Sequence, residues 1–278
     1  MRLMGCINAA VRIAFYAVVM LLVLSCASFS SSGVGRVKRY TIESERLPKS
    51  FDGYTVAFVS DIHYPSLFTR ARLGKLVDKL RDENPSILLL GGDYVTDNSC
   101  LDELFDSISA VPAKDGLYAV LGNHEVRNSS LVSATMQEYG VRLLCDEVVL
   151  LASEGDTIAL AGVKDSFKRD SVFASSLGIV SDKLFTMLLS HTPDYAERNA
   201  VATDVVLSGH THGGQVSLLG MYTPVKNSAY GKRFIRGRNK TTGGTEVITT
   251  NGVGTSRKKI RFCVPSEIVV LVLRRSCN

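Results

Sequence analysis

Val205-Val206-Leu207-Ser208-Gly209-His210-Thr211-His212-Gly213-Gly214-Gln215 joins a short apolar run to two imidazoles in a glycine-rich turn. The run predicts a buried strand, and the turn sets both histidines just beyond its carboxyl end. Three other histidines occur in the chain, His63, His124 and His191. Each also follows a β-like run and has Asp, Asn, Ser, Thr or Gly close by. Histidines used only for packing would not all fall at strand ends, so the five read as parts of one site.

Working outward, the same arrangement recurs upstream. The run Tyr54 to Ser60 leads into Asp61-Ile62-His63. Leu73, Leu76, Val77 and Leu80 then fall at i, i+3, i+4 and i+7, which predicts an amphipathic helix that Pro85 ends. Ser86 to Leu90 reads as a second strand, closing in Gly91-Gly92-Asp93. Leu101, Leu104, Phe105 and Ile108 repeat the helical spacing, with Ser99 as candidate N-cap and Asp97 as a loop or capping residue. Leu117 to Leu121 closes in Gly122-Asn123-His124-Glu125, where Glu125 reads either as a partner of the site or, the favoured reading, as a helix N-terminal acid. Successive strand-turn-helix units of this kind gather their polar ends where ligands bind in α/β proteins.

The second half is richer in strands. Val141 to Leu144, Val148 to Leu151 and Thr157 to Val163 predict a meander turning at Gly155-Asp156. Lys183 to Ser190 leads to His191-Thr192-Pro193-Asp194, where Pro193 can open a short helix. Val37 to Ile42, Glu246 to Thr250 and Glu267 to Leu273 supply further strands. Alternating strands and helices followed by strands predict an α/β protein of two packed sheets covered by helices.

The 278 residues are 45% apolar and 21% charged, an ordinary globular balance. Six cysteines form no C-x-x-C pair, so neither a zinc ribbon nor a thioredoxin-type centre is indicated. Residues 1–35 read as a leader plus linker, and 36–278 as one catalytic domain. Within the leader, the twelve apolar residues from Ile13 to Leu24 match a signal-peptide core better than a bilayer span of roughly 20. Val23-Leu24-Ser25-Cys26 is similar to a bacterial lipoprotein box, with Cys26 the lipid acceptor. An uncleaved anchor helix running to about Phe29 is the alternative, and Arg36, Lys38 and Arg39 after the run blur its orientation. Either way the expectation is a membrane-attached, extracytoplasmic protein. The net charge of +5 is concentrated late, in Lys226, Lys232, Arg233, Arg236, Arg238 and Lys240 and again in Arg257, Lys258, Lys259 and Arg261. These clusters read either as solvated loops or as attraction to a membrane surface or to substrate phosphates, with Tyr222, Tyr230 and Phe234 among them. Nucleic acid is not expected as a partner of an exported domain, and the oligomeric state is unread.

Asp61, His63, Asp93, Asn123, His191, His210 and His212 supply a mixed oxygen and nitrogen donor set. Such a set suits manganese first, with iron or zinc as alternatives, and the absence of cysteine from it argues against a structural zinc. Seven donors exceed one tetrahedral ion and fit two octahedral ions that also hold water. Asp93 after two glycines is placed to bridge them. Two such ions can clamp a phosphoryl group and acidify a water. His124 is left over, free to protonate a leaving oxygen or to steady phosphoryl charge.

The blocks Asp61-x-His63, Gly92-Asp93, Gly122-Asn123-His124-Glu125, His191 and Gly209-His210-Thr211-His212 resemble, in order, the signature of the calcineurin-like metallophosphoesterase superfamily, over roughly residues 50 to 275. The resemblance implies a four-layer α-β-β-α sandwich of two mixed sheets. It implies one metal ion on Asp61, His63, Asp93 and His212, and a second on Asp93, Asn123, His191 and His210. Asn123 and His124 would contact substrate, with His124 catalytic. Ser190-His191-Thr192-Pro193-Asp194, the Gly209 to Gln215 segment and Pro265-Ser266-Glu267-Ile268 are similar to a membrane-associated bacterial branch. That branch includes hydrolases of UDP-2,3-diacylglucosamine. The implied function is a phosphodiesterase or pyrophosphatase acting on a phosphorylated lipid or nucleotide-linked substrate. A phosphomonoesterase and a non-catalytic metal-binding scaffold are the alternatives. One departure is Tyr64-Pro65, where many members carry a small residue after the first histidine.

Overall fold

The computed structural model describes residues 9, 11–20, 33–66, 68–164, 166–168, 171–217 and 222–276. Two six-stranded sheets lie face to face. The first contains β1 (Arg36–Ser44), β2 (Thr55–Val59), β3 (Ile87–Leu90), β4 (Leu117–Ala119), β5 (Val141–Leu143) and β12 (Glu267–Arg275), in the order β1-β12-β2-β3-β4-β5. The second contains β6 (Glu147–Ser153), β7 (Asp156–Gly162), β8 (Thr186–Leu189), β9 (Val205–Ser208), β10 (Gly237–Lys240) and β11 (Glu246–Thr249), in the order β10-β11-β9-β8-β7-β6. Both sheets are mixed: β12 runs antiparallel to β2, as β10 does to β11 and β6 to β7, and the other pairs are parallel.

The period of two in a strand explains why the central strands read as unbroken apolar runs. In β2, Val56 and Phe58 enter the core between the sheets, while Ala57 and Val59 face the helices. In β3, Ile87 and Leu89 point inward and Leu88 and Leu90 outward. A strand buried on both faces has no polar side. Helices α1 (Arg70–Glu83), α2 (Leu101–Ser109) and α3 (Ser129–Glu138) cover the first sheet, through Leu73, Leu76, Leu104, Phe105 and Met136 among others. On the second sheet, α4 (Ser171–Ser181) and α5 (Asp194–Arg198) place Leu177 and Tyr195 against Leu188 and Val206. The four-layer α-β-β-α sandwich is the architecture.

Several local expectations change. The meander does not form, because β5 pairs in parallel with β4 and ends the first sheet, whereas β6 and β7 open the second. The chain crosses between sheets at 144–146. Ser99 is not the cap of the second helix. Asp97 accepts the Ser99 N–H and starts a short 3-10 turn before α2. Helix α1 stops at Glu83, where Asn84 takes a left-handed φ of 44° ahead of Pro85. Tyr64, the departure after the first histidine, is buried and donates its hydroxyl to Glu103, so it anchors the loop. In the leader, residues 11–20 are helical with exposed apolar side chains. Leu21 to Leu24 and Cys26 lie outside the described residues. Among the described residues no helix is long and apolar enough to cross a membrane.

Candidate metal centre

Parallel strands of both sheets end at the same edge. Asp61 and His63 follow β2, Asp93 follows β3, Asn123 and His124 follow β4, His191 follows β8, and His210 and His212 follow β9. Five of these residues, Asp61, His63, Asp93, His210 and His212, adopt φ between 51° and 66°. Left-handed backbone in non-glycine residues costs on the order of 1–3 kcal/mol each and collects at functional sites. The strain turns each side chain from its strand toward a common centre. Close glycines allow the approach: a Cβ on Gly122 would lie 2.2 Å from Asp93 Oδ1, and one on Gly209 2.3 Å from Asp61 Oδ2.

The donor atoms fall into overlapping groups. Asp61, His63 and His212 form one; Asp93, His191 and His210 form another; His63, Asp93 and His124 form a third between them, each within 4.8 Å. Asp93 Oδ2 lies 3.7 Å from His63 Nε2, 3.6 Å from His191 Nε2 and 3.9 Å from His124 Nε2. Its Oδ1 accepts the His124 backbone N–H at 3.1 Å. Asn123 Oδ1 sits 3.3 Å from His191 Nε2. All seven expected donors and His124 are therefore brought together.

This arrangement fits a pair of metal ions. His63 Nε2 and His212 Nε2 approach to 3.1 Å, and His212 Nε2 is 3.3 Å from Asp61 Oδ1. Adjacent ligands of one ion at about 2.1 Å stand roughly 3 Å apart, which is this spacing. The Nδ1 atoms of His63, His210 and His212 are buried without a hydrogen-bond partner, a costly state for polar nitrogens. His191 differs: its Nδ1 donates to the Gly91 carbonyl at 2.6 Å, which fixes the tautomer and turns Nε2 toward Asp93.

The electrostatics favour cation uptake. Burial lowers His63 and His210 to about 4, and pushes His212 well below its ordinary value. Burial acts on His191 in the same sense, but the Asp93 and Asp61 carboxylates overcome it and raise His191 to about 9. Burial lifts Asp61 to about 6. Burial also opposes ionised Asp93, yet His191 and the neighbouring imidazoles hold it below the usual carboxylate range. His63, His210 and His212 thus offer unprotonated nitrogens and Asp93 a committed anion, whereas His191 must release a proton as an ion binds.

Four residues extend the site beyond the expected donors and His124. Glu125 precedes the short 3-10 turn Val126–Asn128, but its carboxylate does not cap that turn. It is buried, and its carboxylate accepts the N–H groups of Asp93 (2.9 Å), Tyr94 (3.0 Å) and Gly122 (2.8 Å). It thereby ties the turn after β3 to the turn after β4. Burial and the nearby Asp93 charge raise its pKa, and the three donors act against that. Arg261, read as part of a basic cluster, is also buried and donates to the carbonyls of His212, Asn251, Gly252, Gly254 and Val264. Gly252, next to Asn251, packs on Asp61, where an added Cβ would meet Asp61 Cβ at 2.8 Å. The turn Asn251-Gly252 after a strand was the available signal. Phe167 stands edge-on to His210 with ring centres 5.0 Å apart, 41% exposed, and no sequence pattern marks it. Its loop is held by Arg198, which donates to the carbonyls of Ser166 and Phe167. In the first basic run, Arg233 pairs with Glu197 and Arg238 with Glu246, so part of that charge is neutralised within the fold.

Comparison with known proteins agrees with the geometry. The profile of calcineurin-like phosphoesterases matches residues 54–214. A metallophosphoesterase of Aquifex aeolicus is 32% identical over 253 residues, 87% of this chain and 93% of its own. Phosphodiesterase YaeI of Escherichia coli is 27% identical over 230 residues, 79% of this chain and 82% of its own. The sulfate thiohydrolase SoxB of Thermus thermophilus shares the fold at a TM-score of 0.50 and 13% identity, over 82% of this chain and 57% of that one. The match across more than half of the sequence, with donors converging as the motifs require, means that the chain belongs to the calcineurin-like phosphoesterase family and is a metal-dependent phosphoester hydrolase.

Proposed function

We propose that the protein is a phosphodiesterase or pyrophosphatase acting on a membrane-associated, lipid-linked or nucleotide-linked phosphate of the type of UDP-2,3-diacylglucosamine. The observation that carries this reading is the overlap of two donor groups on Asp93, with the half-exposed His124 beside it. Asp61, His63, Asp93 and His212 would hold one ion, and Asp93, Asn123, His191 and His210 the other, manganese being the first candidate. When bound, the two ions supply charge neutralisation to a phosphoryl group and acidify water.

The chain's own groups do the rest. Asp93 spans the two groups, and Glu125 holds its backbone in place. Asn123 and His124 meet the substrate. The His124 backbone is tied to Asp93 Oδ1, while its side chain is 44% exposed, so the imidazole can reach a leaving oxygen without losing its anchor. A proton given there by Nε2 lets an alkoxide or phosphate depart neutralised. A scaffold without turnover would have no use for that imidazole. The name of the Escherichia coli relative supports a diester over a monoester substrate, and the apolar run from Ile13 to Leu24 supports membrane attachment, through Cys26 or as an anchor.

The test uses leaving groups of different basicity. General-acid help is worth about 10²–10⁴ in rate and matters most for alkoxides. His124→Ala, with metal content retained, should lose far more rate on a dialkyl phosphate than on bis(p-nitrophenyl) phosphate. Equal losses on both would remove the general-acid role.

A further inference from the structure

Beside the metal centre lies a second feature that the chemistry above does not use. A pocket of about 270 Å³ opens between the turn carrying His212 and the 256–260 loop, with the 224–227 segment as its third wall. Val216, Val225 and Ile260 line it, and Arg257 and Lys258 stand at its walls. Val225 and Ile260 are 48% and 51% exposed. Single exposed apolar residues are ordinary, but apolar side chains converging on a concave site next to catalytic groups mark a ligand pocket.

The walls are built, not incidental. Gln215 donates from Nε2 to the Lys258 carbonyl at 3.0 Å and accepts the Ser256 N–H at 2.8 Å. The backbones of Gln215, Ser217 and Phe262 are cross-bonded. Buried Arg261 ties the base of the same loop to the His212 carbonyl. On the other side, buried Asp194 accepts from Ser228 Oγ at 2.6 Å and from the Ala229 N–H at 2.7 Å, which anchors the end of the 224–227 segment. Fixed walls around exposed apolar side chains are the arrangement a pre-formed site requires.

Resting on the phosphodiesterase reading above, we propose that this pocket receives one hydrocarbon tail of a substrate whose phosphate lies at the metal centre. His212 belongs to both the metal cluster and the pocket lining, so tail and phosphate sites adjoin. The charge pattern selects the occupant: exposed Arg257, Lys258, Lys259 and Lys226 flank the apolar walls and suit an anionic amphiphile over a neutral hydrocarbon.

The experiment uses manganese-loaded full-length protein and methyl, butyl and octyl p-nitrophenyl phosphates below their aggregation concentrations. Charge and leaving group are constant across the series, and only the retained chain differs. kcat/KM should rise with chain length, by up to about fourfold for each methylene that enters the pocket. Ile260→Asp should flatten the series, and the milder Val225→Ala should shallow it. In calorimetry, octyl phosphate should bind more tightly than methyl phosphate with a more negative heat-capacity change, in metal-free protein as well, and Ile260→Asp should remove that difference. Turnover of the methyl ester with no chain-length dependence would overturn the pocket while leaving the phosphodiesterase reading intact. A chain-length slope unchanged in Ile260→Asp and Val225→Ala would place the tail elsewhere and also overturn it. No turnover of any ester would remove the reading on which the pocket rests.

Discussion

Glu125→Ala separates the role found for this carboxylate from the one its sequence position implies. As a charge at the start of a helical segment, Glu125 would contribute about 0.3–1 kcal/mol. In the structure its two oxygens accept three buried N–H groups, of Asp93, Tyr94 and Gly122. Leaving a buried donor unpaired costs about 1–3 kcal/mol, so three such losses bound the effect at roughly 3–9 kcal/mol. Removing a charge that repels Asp93 offsets part of this, and we expect about 3–5 kcal/mol. Glu125→Gln keeps one acceptor oxygen for the Asp93 and Gly122 donors but turns its amide NH₂ toward the Tyr94 N–H, and should cost about 1–3 kcal/mol. Urea unfolding of chelator-treated protein measures both, and the stoichiometry of bound manganese after gel filtration reports whether the turn carrying Asp93 has shifted. A Glu125→Ala protein within about 1 kcal/mol of wild type, with unchanged metal content, would refute the tie between the two turns and restore the helix-charge reading.

Two other outcomes follow from the same geometry. Gly122→Ala places a methyl group 2.2 Å from Asp93 Oδ1, so the turn must shift and the purified protein should lose metal from both sites, as elemental analysis would show. The metal-free protein should be most stable near pH 6.5. Below that, His63 and His210, lowered to about 4, bind protons less readily than in the unfolded chain, and stability falls between about pH 6.5 and 4. Above it, the contribution of His191, raised to about 9, is lost as pH rises through 9. Chemical denaturation across this range tests both limbs, and a flat profile would contradict them.

Much of this was legible in the sequence because the relevant physics is local. Central strands buried on both faces must be continuous apolar runs, as in Ile87–Leu90 and Val205–Ser208. A cation site at strand ends must combine Asp, Asn and His with glycines that admit close approach, and the motifs display that directly. What escaped depends on contacts between distant segments. Glu125 faces the N–H of Asp93, 32 residues away, and nothing at its own position distinguishes that from an exposed helix start. Arg261 sits in a run of basic residues, and charge pattern alone does not separate it from exposed Lys259. Val141–Leu143 and Glu147–Ser153 are spaced as a hairpin, yet the apolar face of β5 is satisfied by β4 and α3, so the pair splits between sheets. Phe167 stands beside His210 on a loop whose carbonyl Arg198, 31 residues on, holds.

The central claim is that one carboxylate, Asp93, joins two metal ions into a single phosphoester-hydrolysing centre. Manganese titration of metal-free protein, with bound metal and hydrolysis of bis(p-nitrophenyl) phosphate followed together, tests it most directly. Two ions should bind per chain, the rate should follow filling of the second site, and Asp93→Asn should lose occupancy of both along with activity. Saturation at one ion with full activity, or an Asp93→Asn protein that still holds two ions, would contradict the account.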